Sequence, residues 1–230
     1  MKKIETHLHS APTSPCAIEY PRDIARILKN AGFDAVIVTN HLRKDLYEHW
    51  SGQGYNPVDK YLEGYRDLVK YGNKVGLEVY LGAELNLYRY NRADIHGPVH
   101  EILLYGIDEQ FLYDNPTIYD LTLEQLKDLC DREGILAVQA HPYRATSRPI
   151  DPSLVHGYEV FNGNQDQNPP YINALAYEAA KINNLIMISG SDFHQRGDEA
   201  RGGMYIPSIV KDIEGFVECL RDGSARLIQE

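Results

Sequence analysis

The amino-acid sequence predicts an α/β protein, folded as one irregular (β/α) barrel domain over residues 1–230. Three observations lead to this prediction. Short β-rich runs alternate with helical stretches along the chain, which is the pattern of a parallel sheet with helices outside it. About seven strand–helix units can be counted, which fits an irregular barrel better than an open doubly wound sheet. No linker rich in proline, serine or glycine divides the chain, and barrels routinely use more than ~200 residues as one domain.

The predicted strands are short apolar runs rich in β-branched residues. The clearest is DAVIVTN at residues 34–40, a near-continuous run of the kind found in buried parallel strands. The seven predicted strands cover residues 2–9, 34–40, 78–85, 101–107, 135–141, 157–163 and 185–191.

The predicted helices carry recognisable signals at their ends. The first helix begins with Pro21 and is closed by Gly32, which matches the preference for proline in the first turn and glycine after the last. Thr122 stands three residues before Gln125, the spacing of a capping box. Residues 42–56 are predicted as a long loop that can serve as a lid. The predicted helices cover residues 21–31, 58–76, 121–133, 171–184 and 211–222.

The charge balance is acidic, and it argues against some classes of partner. The chain has 33 acidic and 23 basic residues, for a formal net charge of −10. Non-specific binding of long nucleic acid needs a net basic face, whereas a short phosphorylated substrate needs only a few arginines. A hydrophobic content of 43% argues against a disordered chain. No apolar run approaches the ~20 residues of a membrane span.

The cysteine pattern predicts a reducing compartment. Cys16, Cys130 and Cys219 are odd in number and far apart, unlike a disulfide framework. The N-terminal residues MKKIETHLHS contain no apolar run of the kind that a secretory signal needs. We therefore expect a cytoplasmic protein, and the sequence makes no prediction about its oligomeric state.

Side chains that can bind metals stand at the ends of most predicted strands, the face that carries the active site in barrel enzymes. The first two lie two residues apart on one strand face, which brings two imidazoles together where a divalent cation can bind. Histidine and carboxylates without a cysteine-rich set favour Zn²⁺, Fe²⁺ or Mn²⁺, and their number implies two or three ions. The candidates are His7, His9, His41, Glu84, His141, Asp192 and His194, with Glu159 and Asn162 on an intervening strand.

Six short motifs, in this order, resemble the polymerase-and-histidinol-phosphatase (PHP) family, which is related to the amidohydrolases. They are HLH at 7–9, TNH at 39–41, GAE at 82–84, AHPYR at 140–144, YEVFNG at 158–163 and SDFH at 191–194. Each motif is weak alone, but the ordered set is specific and extends over residues 1 to about 205. The resemblance implies a distorted (β/α)7 barrel of the TIM type. It also implies a metal centre of two or three ions at the C-terminal ends of the strands.

The resemblance further implies which residues hold the ions. The first position would use His7, His9, Glu84 and Asp192, the second would share Glu84 and add His141, and the third would use His41 and His194. A shared carboxylate draws two cations to the ~3.5–4 Å separation of two-metal hydrolases.

Three positions depart from the family pattern. On the fourth predicted strand, register favours Glu101 as a ligand and residue type favours His100. Only one of them can reach the metals, because adjacent strand residues face opposite sides. The third ion normally gains a histidine or aspartate soon after HLH, where this chain offers Cys16 or Ser14 as a ligand, or Cys16 as a small buried residue. Asn40 replaces the frequent aspartate of TDH and can orient its neighbours only through hydrogen bonds.

Arginines follow several of these motifs, in loops where substrate-binding residues belong. A guanidinium group matches the oxygens of a phosphate in pairs. Arg144 is the first choice, because Pro142 fixes the backbone directly after His141. The neighbouring Tyr143 could stack on a substrate ring. The other candidates are Arg43, Arg148, Arg196 and Arg201.

These features predict a metal-dependent phosphoesterase that hydrolyses a phosphate ester of a small metabolite or nucleotide. A hydroxide that bridges two ions would attack phosphorus in line, while Arg144 clamps the phosphate. Asp192 would be the anionic partner of the clustered histidines, and His194 or a metal-bound water would protonate the leaving group. Three alternatives remain: hydrolysis of C–N bonds as in the amidohydrolases, cleavage of short nucleic-acid strands, and a metal-binding module without activity.

Overall fold

The structure is a computed structural model that describes residues 1–87, 100–164, 169–199 and 201–229. Its strands are β1 (Lys2–Glu5), β2 (Ala35–Val38), β3 (His41–Leu42), β4 (Glu78–Leu87), β5 (His100–Tyr105), β6 (Leu136–Gln139), β7 (Gly157–Asn162), β8 (Ile186–Gly190), β9 (Met204–Ile206) and β10 (Arg226–Leu227). Its helices are α1 (Pro21–Asn30), α2 (Lys44–Gly52), α3 (Pro57–Val75), α4 (Glu109–Asp114), α5 (Leu123–Glu133), α6 (Pro170–Ile182) and α7 (Ile213–Asp222), with 3-10 turns at Ile118–Asp120 and Pro152–Leu154.

The seven predicted strands and five predicted helices are all present. The first strand is shorter than predicted, because it ends at Glu5 and the chain continues into a polar loop. The capping box is confirmed: Thr122 Oγ1 accepts from the Gln125 backbone, and the Gln125 side chain accepts from the Thr122 backbone. The start of this helix could be predicted from the sequence because a capping box depends only on neighbouring residues.

The prediction of a long loop over residues 42–56 was wrong, since most of this segment is helix α2. The helix buries one large side chain, Tyr47. Its ring packs near those of Tyr61 and Tyr119, with centroids 6.2 and 5.5 Å away. One buried aromatic per nine residues gives too weak a periodic pattern to predict a helix from sequence.

The sheet is mixed rather than wholly parallel, which corrects a second prediction. Its order is β10-β9-β1-β2-β4-β5-β6-β7-β8, and β3 pairs with β4. β5 runs antiparallel to both β4 and β6, and β9 runs antiparallel to β1 and β10. A buried apolar run has the same appearance whichever way the strand runs, so the sequence did not reveal these directions.

The sheet curls until it is nearly closed into a TIM-like barrel with helices around it. In the described part of the chain, β1 and β8 are not paired as strands, but the segments beyond their ends meet. Leu8 and Phe193 form a single parallel bridge there. The His9 N–H donates to the Phe193 carbonyl at 2.9 Å, and the Phe193 N–H donates to the His7 carbonyl at 3.1 Å. We call this contact, between residues 6–9 and 189–194, the seam.

Apolar side chains hold the helices onto the sheet. α1 and α3 pack on one side through Ile24, Leu28 and Leu68, all fully buried. α7 packs against strand residues of the barrel interior, where the rings of Phe216 and Tyr105 meet edge to face at 5.5 Å. Over the described ranges, no helix is both long enough and apolar enough to cross a bilayer.

Candidate metal centre

A cavity of about 450 Å³ lies beyond the C-terminal ends of β1, β2, β6 and β8. This is the end of the barrel at which the sequence predicts the site. Histidine and carboxylate side chains dominate its described wall. Eight of the predicted site residues line it: Cys16, His41, Glu84, Glu101, His141, Arg144, Asp192 and His194. His7 and His9 are completely buried and contact the same carboxylates.

Glu84, in β4, is at the middle of the centre. Its Oε1 lies 3.2 Å from His7 Nε2 and 3.3 Å from His141 Nε2. Its Oε2 lies 2.7 Å from His41 Nδ1 and 3.5 Å from His9 Nε2. These are charge contacts rather than aligned hydrogen bonds, because neither oxygen has a hydrogen-bond partner among the described residues. A buried carboxylate without hydrogen bonds is costly unless a cation compensates it.

Asp192 divides its two oxygens between histidine and arginine. Oδ1 lies 3.4 Å from both His7 Nε2 and His9 Nε2. Oδ2 accepts from Arg144 Nη2 at 2.6 Å and from Asn162 Nδ2 at 3.3 Å. The backbone of Asp192 is left-handed, with a φ of 54°, which is uncommon outside glycine and marks a site held by its surroundings.

The donor atoms are close enough together to fit divalent ions. Each of four groups has ligand atoms within 4.8 Å of one another. The groups are His7–Glu84–His141, His7–His9–Asp192, His41–Glu84–Glu101 and His9–Cys16–His41–His194. Imidazole and carboxylate ligands suit Zn²⁺, Fe²⁺ and Mn²⁺, so the candidate residues and the predicted class of ion agree.

The electrostatics of the cluster favour positive charge between the carboxylates. Burial by itself would lower the pKa of His7, but the carboxylates of Glu159, Asp192 and Glu84 raise that pKa well above its ordinary value. Burial would raise the pKa of Asp192, yet His7, His9 and Arg144 hold it well below its usual range. The raised pKa means that His7 carries a proton between these carboxylates, where a metal ion could bind instead. Binding of a metal ion is therefore expected to release protons.

Cys16 and His194 perturb each other at the edge of the cavity. Burial would raise the pKa of the Cys16 thiol, but hydrogen bonds from His194 and His41 lower it to about 6. Burial would lower the pKa of His194, while the contacts with Cys16 and Asp192 raise it to about 9. A thiol next to imidazoles is readily present as thiolate, the form that binds metals.

Two buried carboxylates, Glu159 and Glu5, orient the candidate ligands without belonging to any of the ligand groups. Glu159 Oε1 lies 2.8 Å from His7 Nδ1, and Glu159 Oε2 accepts from the His141 N–H at 3.0 Å. Glu5 Oε1 accepts from the backbone N–H groups of His7 and Ser191, at 3.0 and 2.9 Å. A positioning role was not predicted for either residue. The signal for Glu159 was an acidic residue between apolar neighbours in the strand GYEVFN. Glu5 lies in the charged run KKIE, which carries no such signal.

The structure places Glu101, and not His100, at the centre. Glu101 lines the cavity, and its Oε2 lies 3.5 Å from His141 Nε2. Asn86 Nδ2 donates to Glu101 Oε1 at 3.0 Å. His100 is buried on the opposite face of β5, opposite Leu87 in the ladder. Because β5 is antiparallel to β4, Glu101 stands near the start of its strand rather than at the C-terminal end.

Asn40 acts through hydrogen bonds, the only way open to an amide. Its Oδ1 accepts from the Ser10 N–H at 2.8 Å and from Ser14 Oγ at 2.9 Å. Ser14 Oγ in turn accepts from the His41 N–H at 3.0 Å and lies 3.3 Å from His9 Nδ1. The amide therefore fixes the loop after β1 against two candidate ligands.

Of the predicted arginines, only Arg144 is on the described wall of the cavity. Arg43 Nε and Nη2 both bind the Asp45 carboxylate, at 3.0 and 2.6 Å, which draws the side chain along α2. The side chains of Arg148 and Arg196 are exposed. Arg201 is held toward Asp198, with Nη1 3.8 Å from Oδ1. These four arginines are not on the described wall of the cavity, although Asp198, which faces Arg201, is.

Comparisons with known proteins place the fold. No protein-family model matches the sequence, and no curated protein matches it. Solved structures do match. The chain superposes on a two-domain protein from Bacteroides vulgatus that contains a predicted PHP-like metal-dependent phosphoesterase, with 18% identity and a TM-score of 0.63. This match covers 100% of the present chain and 65% of the Bacteroides chain, so the present chain spans less than two thirds of its length.

Two further structures have the same fold. One is a candidate metal-dependent phosphoesterase from Bifidobacterium adolescentis, with 13% identity, a TM-score of 0.56 and coverage of 95% of each chain. The other is an amidohydrolase from Chromobacterium violaceum with bound sulfate and no metal, with 15% identity and a TM-score of 0.60. That match covers 94% of the present chain and 96% of the amidohydrolase. The chain therefore has the fold shared by PHP-like phosphoesterases and an amidohydrolase.

Proposed function

We propose that this protein is a metal-dependent phosphoesterase that hydrolyses a phosphate ester of a small metabolite or nucleotide. The observation that carries the proposal is a mostly buried guanidinium in the same cavity as a histidine and carboxylate cluster. The Arg144 side chain is only 12% exposed and is anchored to Asp192. An oxyanion that enters the cavity therefore has metal ligands on one side and a fixed cation beside them.

Two groups of residues would hold the ions. His7, His9 and Asp192 form one, and Glu84 with His141 forms the other. When bound, the two ions supply an activated water and neutralise charge on the phosphoryl oxygens. The contribution of the chain is to hold the ligand atoms in place.

Arg144 would bind the substrate phosphate. One guanidinium nitrogen, Nη2, is used to hold Asp192. Its Nε is buried and has no hydrogen-bond partner among the described residues. A non-bridging phosphate oxygen would form a charge-assisted hydrogen bond with the part of the guanidinium that lines the cavity.

His194 has two possible roles that exclude each other. Its Nδ1 lies 2.8 Å from the carbonyl oxygen of Asp192, so only one ring nitrogen remains for the cavity. That nitrogen either gives a proton to the leaving-group oxygen or binds an ion. The proximity of the Cys16 thiol favours the second role.

Hydrolysis of C–N bonds is the second candidate, because the amidohydrolase from Chromobacterium violaceum has the same fold. That protein contains sulfate, which shares its tetrahedral shape and negative charge with phosphate. An oxyanion subsite on this fold is therefore compatible with either chemistry. Arg144 favours the phosphate ester, since a neutral amide gains less from a guanidinium.

The test is a panel assay on protein that is stripped by a chelator and reloaded with Zn²⁺, Fe²⁺ or Mn²⁺. Phosphorylated metabolites, nucleotides and an aryl phosphate are tested for phosphate release, with cyclic amides in parallel. We expect metal-dependent release of phosphate that chelation abolishes. Arg148→Ala is a matched control, since this exposed arginine is outside the described wall and its loss should leave the rate unchanged. Turnover of amides alone, or of nothing in any metal-loaded form, contradicts the proposal.

A further inference from the structure

His156 joins three strands at the end of the barrel opposite the cavity. It stands directly before β7, and its backbone N–H donates to the Ala137 carbonyl of β6 at 2.8 Å. Its own carbonyl accepts from the Ile186 N–H of β8 at 3.0 Å. In addition, the Ala137 N–H donates to His156 Nδ1 at 2.9 Å. One residue therefore holds the N-terminal ends of β6, β7 and β8 together, through both its backbone and its side chain.

The Ala137 N–H fixes the protonation state of the imidazole. A backbone N–H can only donate, so His156 Nδ1 must carry a lone pair and no proton. The proton of the neutral ring is therefore on Nε2, which lies 2.8 Å from Asp131 Oδ1 and donates to it. The folded arrangement thus selects one tautomer of the neutral ring, and a second proton on Nδ1 would face another donor.

Little water reaches the contact between the ring and Ala137. The His156 side chain is 16% exposed, and Ala137 is buried. The Ala137 N–H therefore depends on Nδ1 as its acceptor, since a buried N–H without a partner is unfavourable. A proton on Nδ1 would remove that acceptor and place two donors against each other. The ring and the Ala137 N–H must then separate.

The charged groups around His156 come from α5 and α7. Asp131 and Lys127 lie on α5, where Lys127 Nζ is 2.6 Å from Asp131 Oδ2, and Arg221 lies on α7. Burial and the positive charges of Lys127 and Arg221 outweigh Asp131, so the pKa of His156 is held below its ordinary value. The segments that adjoin His156 on β6, on β8 and in the turn before β7 carry no titratable side chain; they are residues 136–139, 186–190 and 152–155.

We infer that His156 is a pH-sensitive switch, which fastens the N-terminal end of β6 to β7 while its ring is neutral and releases the Ala137 N–H when the ring is protonated. β6, β7 and β8 contain or lead to His141, Glu159 and Asp192 of the candidate metal centre. The switch therefore supports the strands on which that centre depends. It does not depend on which bond the cavity hydrolyses.

Acid should weaken the native state through this residue. Because folding lowers the pKa of His156, the native protein keeps the ring neutral at a pH at which the unfolded chain already binds a proton. The contribution of His156 to stability is therefore complete above the unfolded pKa of ~6.5, and it declines as the pH falls from there toward the lower folded pKa. Asp131 opposes this shift, since its carboxylate raises the pKa of the ring.

The ring itself can be followed by NMR in the purified wild-type protein. The nitrogen and carbon chemical shifts of the His156 imidazole report its tautomer and its pKa. We expect the Nε2–H tautomer at neutral pH and a pKa below the ordinary ~6.5. Asp131→Asn should lower that pKa further, a shift that a role in packing alone would not produce. The Nδ1–H tautomer, or a pKa at or above ~6.5 in the wild type, overturns the inference.

Hydrogen exchange of backbone amides tests the release of Ala137. Protection factors, which correct for the intrinsic pH dependence of exchange, are measured by NMR at pH ~7.5 and at pH ~5. We expect the protection of the Ala137 amide to fall several-fold in acid relative to that of Val36, which lies in the parallel ladder of β1, β2 and β4.

His156→Asn is the matched variant, because its side-chain oxygen takes the position of Nδ1 and accepts a hydrogen bond at either pH. The Ala137 amide should keep its protection in this variant, and circular dichroism establishes that the variant folds. If it does not fold, the ring titration of the wild type still decides. Protection of Ala137 that is unchanged in the wild type between the two pH values, or that falls equally in a folded His156→Asn, overturns the inference.

Discussion

The seam and the ladder between β4 and β5 hold candidate ligands by different means. The ladder pairs residues from Gly82–Tyr105 to Leu87–His100, and it carries Glu84 and Glu101. Their positions follow from backbone pairing, because alternate residues of a strand share a face. The backbone would keep these two carboxylates together even without an ion.

The seam has a single bridge, Leu8–Phe193, yet it brings together four candidate ligands. Side chains replace the missing ladder. Glu5 accepts from N–H groups on both sides, and Thr6 Oγ1 donates to the Ser189 carbonyl at 2.6 Å. The four ligands are His7, His9, Asp192 and His194.

This contrast indicates where metal binding should matter most. Candidate ligands on the ladder belong to a continuous sheet, whereas those on the seam join two segments with few backbone hydrogen bonds. Ions that bind across the seam would therefore contribute to closing the barrel, and removal of a seam ligand should cost more than removal of a ladder ligand.

The largest effect is expected for Asp192→Ala, in the seam. The change removes the carboxylate that Arg144 Nη2 binds at 2.6 Å and one of the three carboxylates that face His7. Removing one member of a buried ion pair costs about 3–5 kcal/mol. Turnover should be abolished and one metal position lost. Urea unfolding in the presence of chelator measures the stability, and elemental analysis measures the metal. The isosteric variant Asp192→Asn keeps the shape of the side chain and removes its charge, so it shows how much of the effect is due to the charge alone. Unchanged metal content in Asp192→Ala would contradict the role assigned to the seam.

Arg144→Ala should lower kcat/KM with metal content unchanged. Losing a charged, desolvated pair costs about 2–5 kcal/mol, which is roughly 30-fold or more in rate. Arg144→Lys should recover part of the loss, because it restores charge but not the planar fork. Steady-state kinetics with an aryl phosphate measures this, and Arg148→Ala is the control. Wild-type hydrolysis by Arg144→Ala would mean that another group binds the phosphate.

A smaller effect is expected on the ladder, at Glu101. Glu101→Gln removes a carboxylate that faces His141. Metal affinity should fall by roughly tenfold, which is the lower end of the loss observed when a residue that supports a metal site is changed. His100→Ala, on the opposite face, should leave affinity nearly unchanged. Competition with a fluorescent chelator measures both. The reverse pattern would mean that β5 is displaced by one residue.

The smallest effect is expected away from the centre, at Glu78. Burial would raise the pKa of Glu78, but Lys2, with Nζ at 2.6 Å, and the Tyr80 hydroxyl hold it below its usual range. A carboxyl whose pKa is lowered by folding stabilises the protein above its unfolded pKa of ~4.3 and loses that stabilisation as the pH falls through the folded pKa. Glu78→Gln should cost at most about 1 kcal/mol at pH 7 and less at lower pH, since the pair is partly exposed.

Urea unfolding between pH 7 and pH 3, in chelator, measures this pH dependence. The stability curves of wild type and Glu78→Gln should converge as the pH falls below ~4. A stability difference that grows in acid would contradict the expected direction of the effect.

The strands, helix ends and most candidate ligands could be predicted because they depend on local patterns. The capping box at Thr122 needs only four residues. Strand alternation shows that only one of Glu101 and His100 can face the centre, and the register implied by the family resemblance favoured Glu101. The direction of β5 could not be predicted, since a buried strand has no directional signal. The roles of Glu5 and Glu159 could not be predicted either, because they depend on contacts between residues more than 100 positions apart in sequence.

The arginines illustrate the same limit. All five follow predicted strands, but their placement depends on loop geometry and on local partners such as Asp45 and Asp198. Arg144 differs because Pro142 and the Asp192 carboxylate fix its course into the cavity. The sequence made Arg144 the first choice because of Pro142, but it gave no signal for the local partners of the other arginines.

The number of ions that the chain binds is the quantity on which the proposed metal centre depends most. Chelated protein is equilibrated with excess Zn²⁺ or Mn²⁺, freed of unbound metal by gel filtration and measured by plasma mass spectrometry. We expect at least two divalent ions per chain in the wild type and fewer in Asp192→Ala. One ion or none in the wild type after this treatment would contradict a centre of two or more ions.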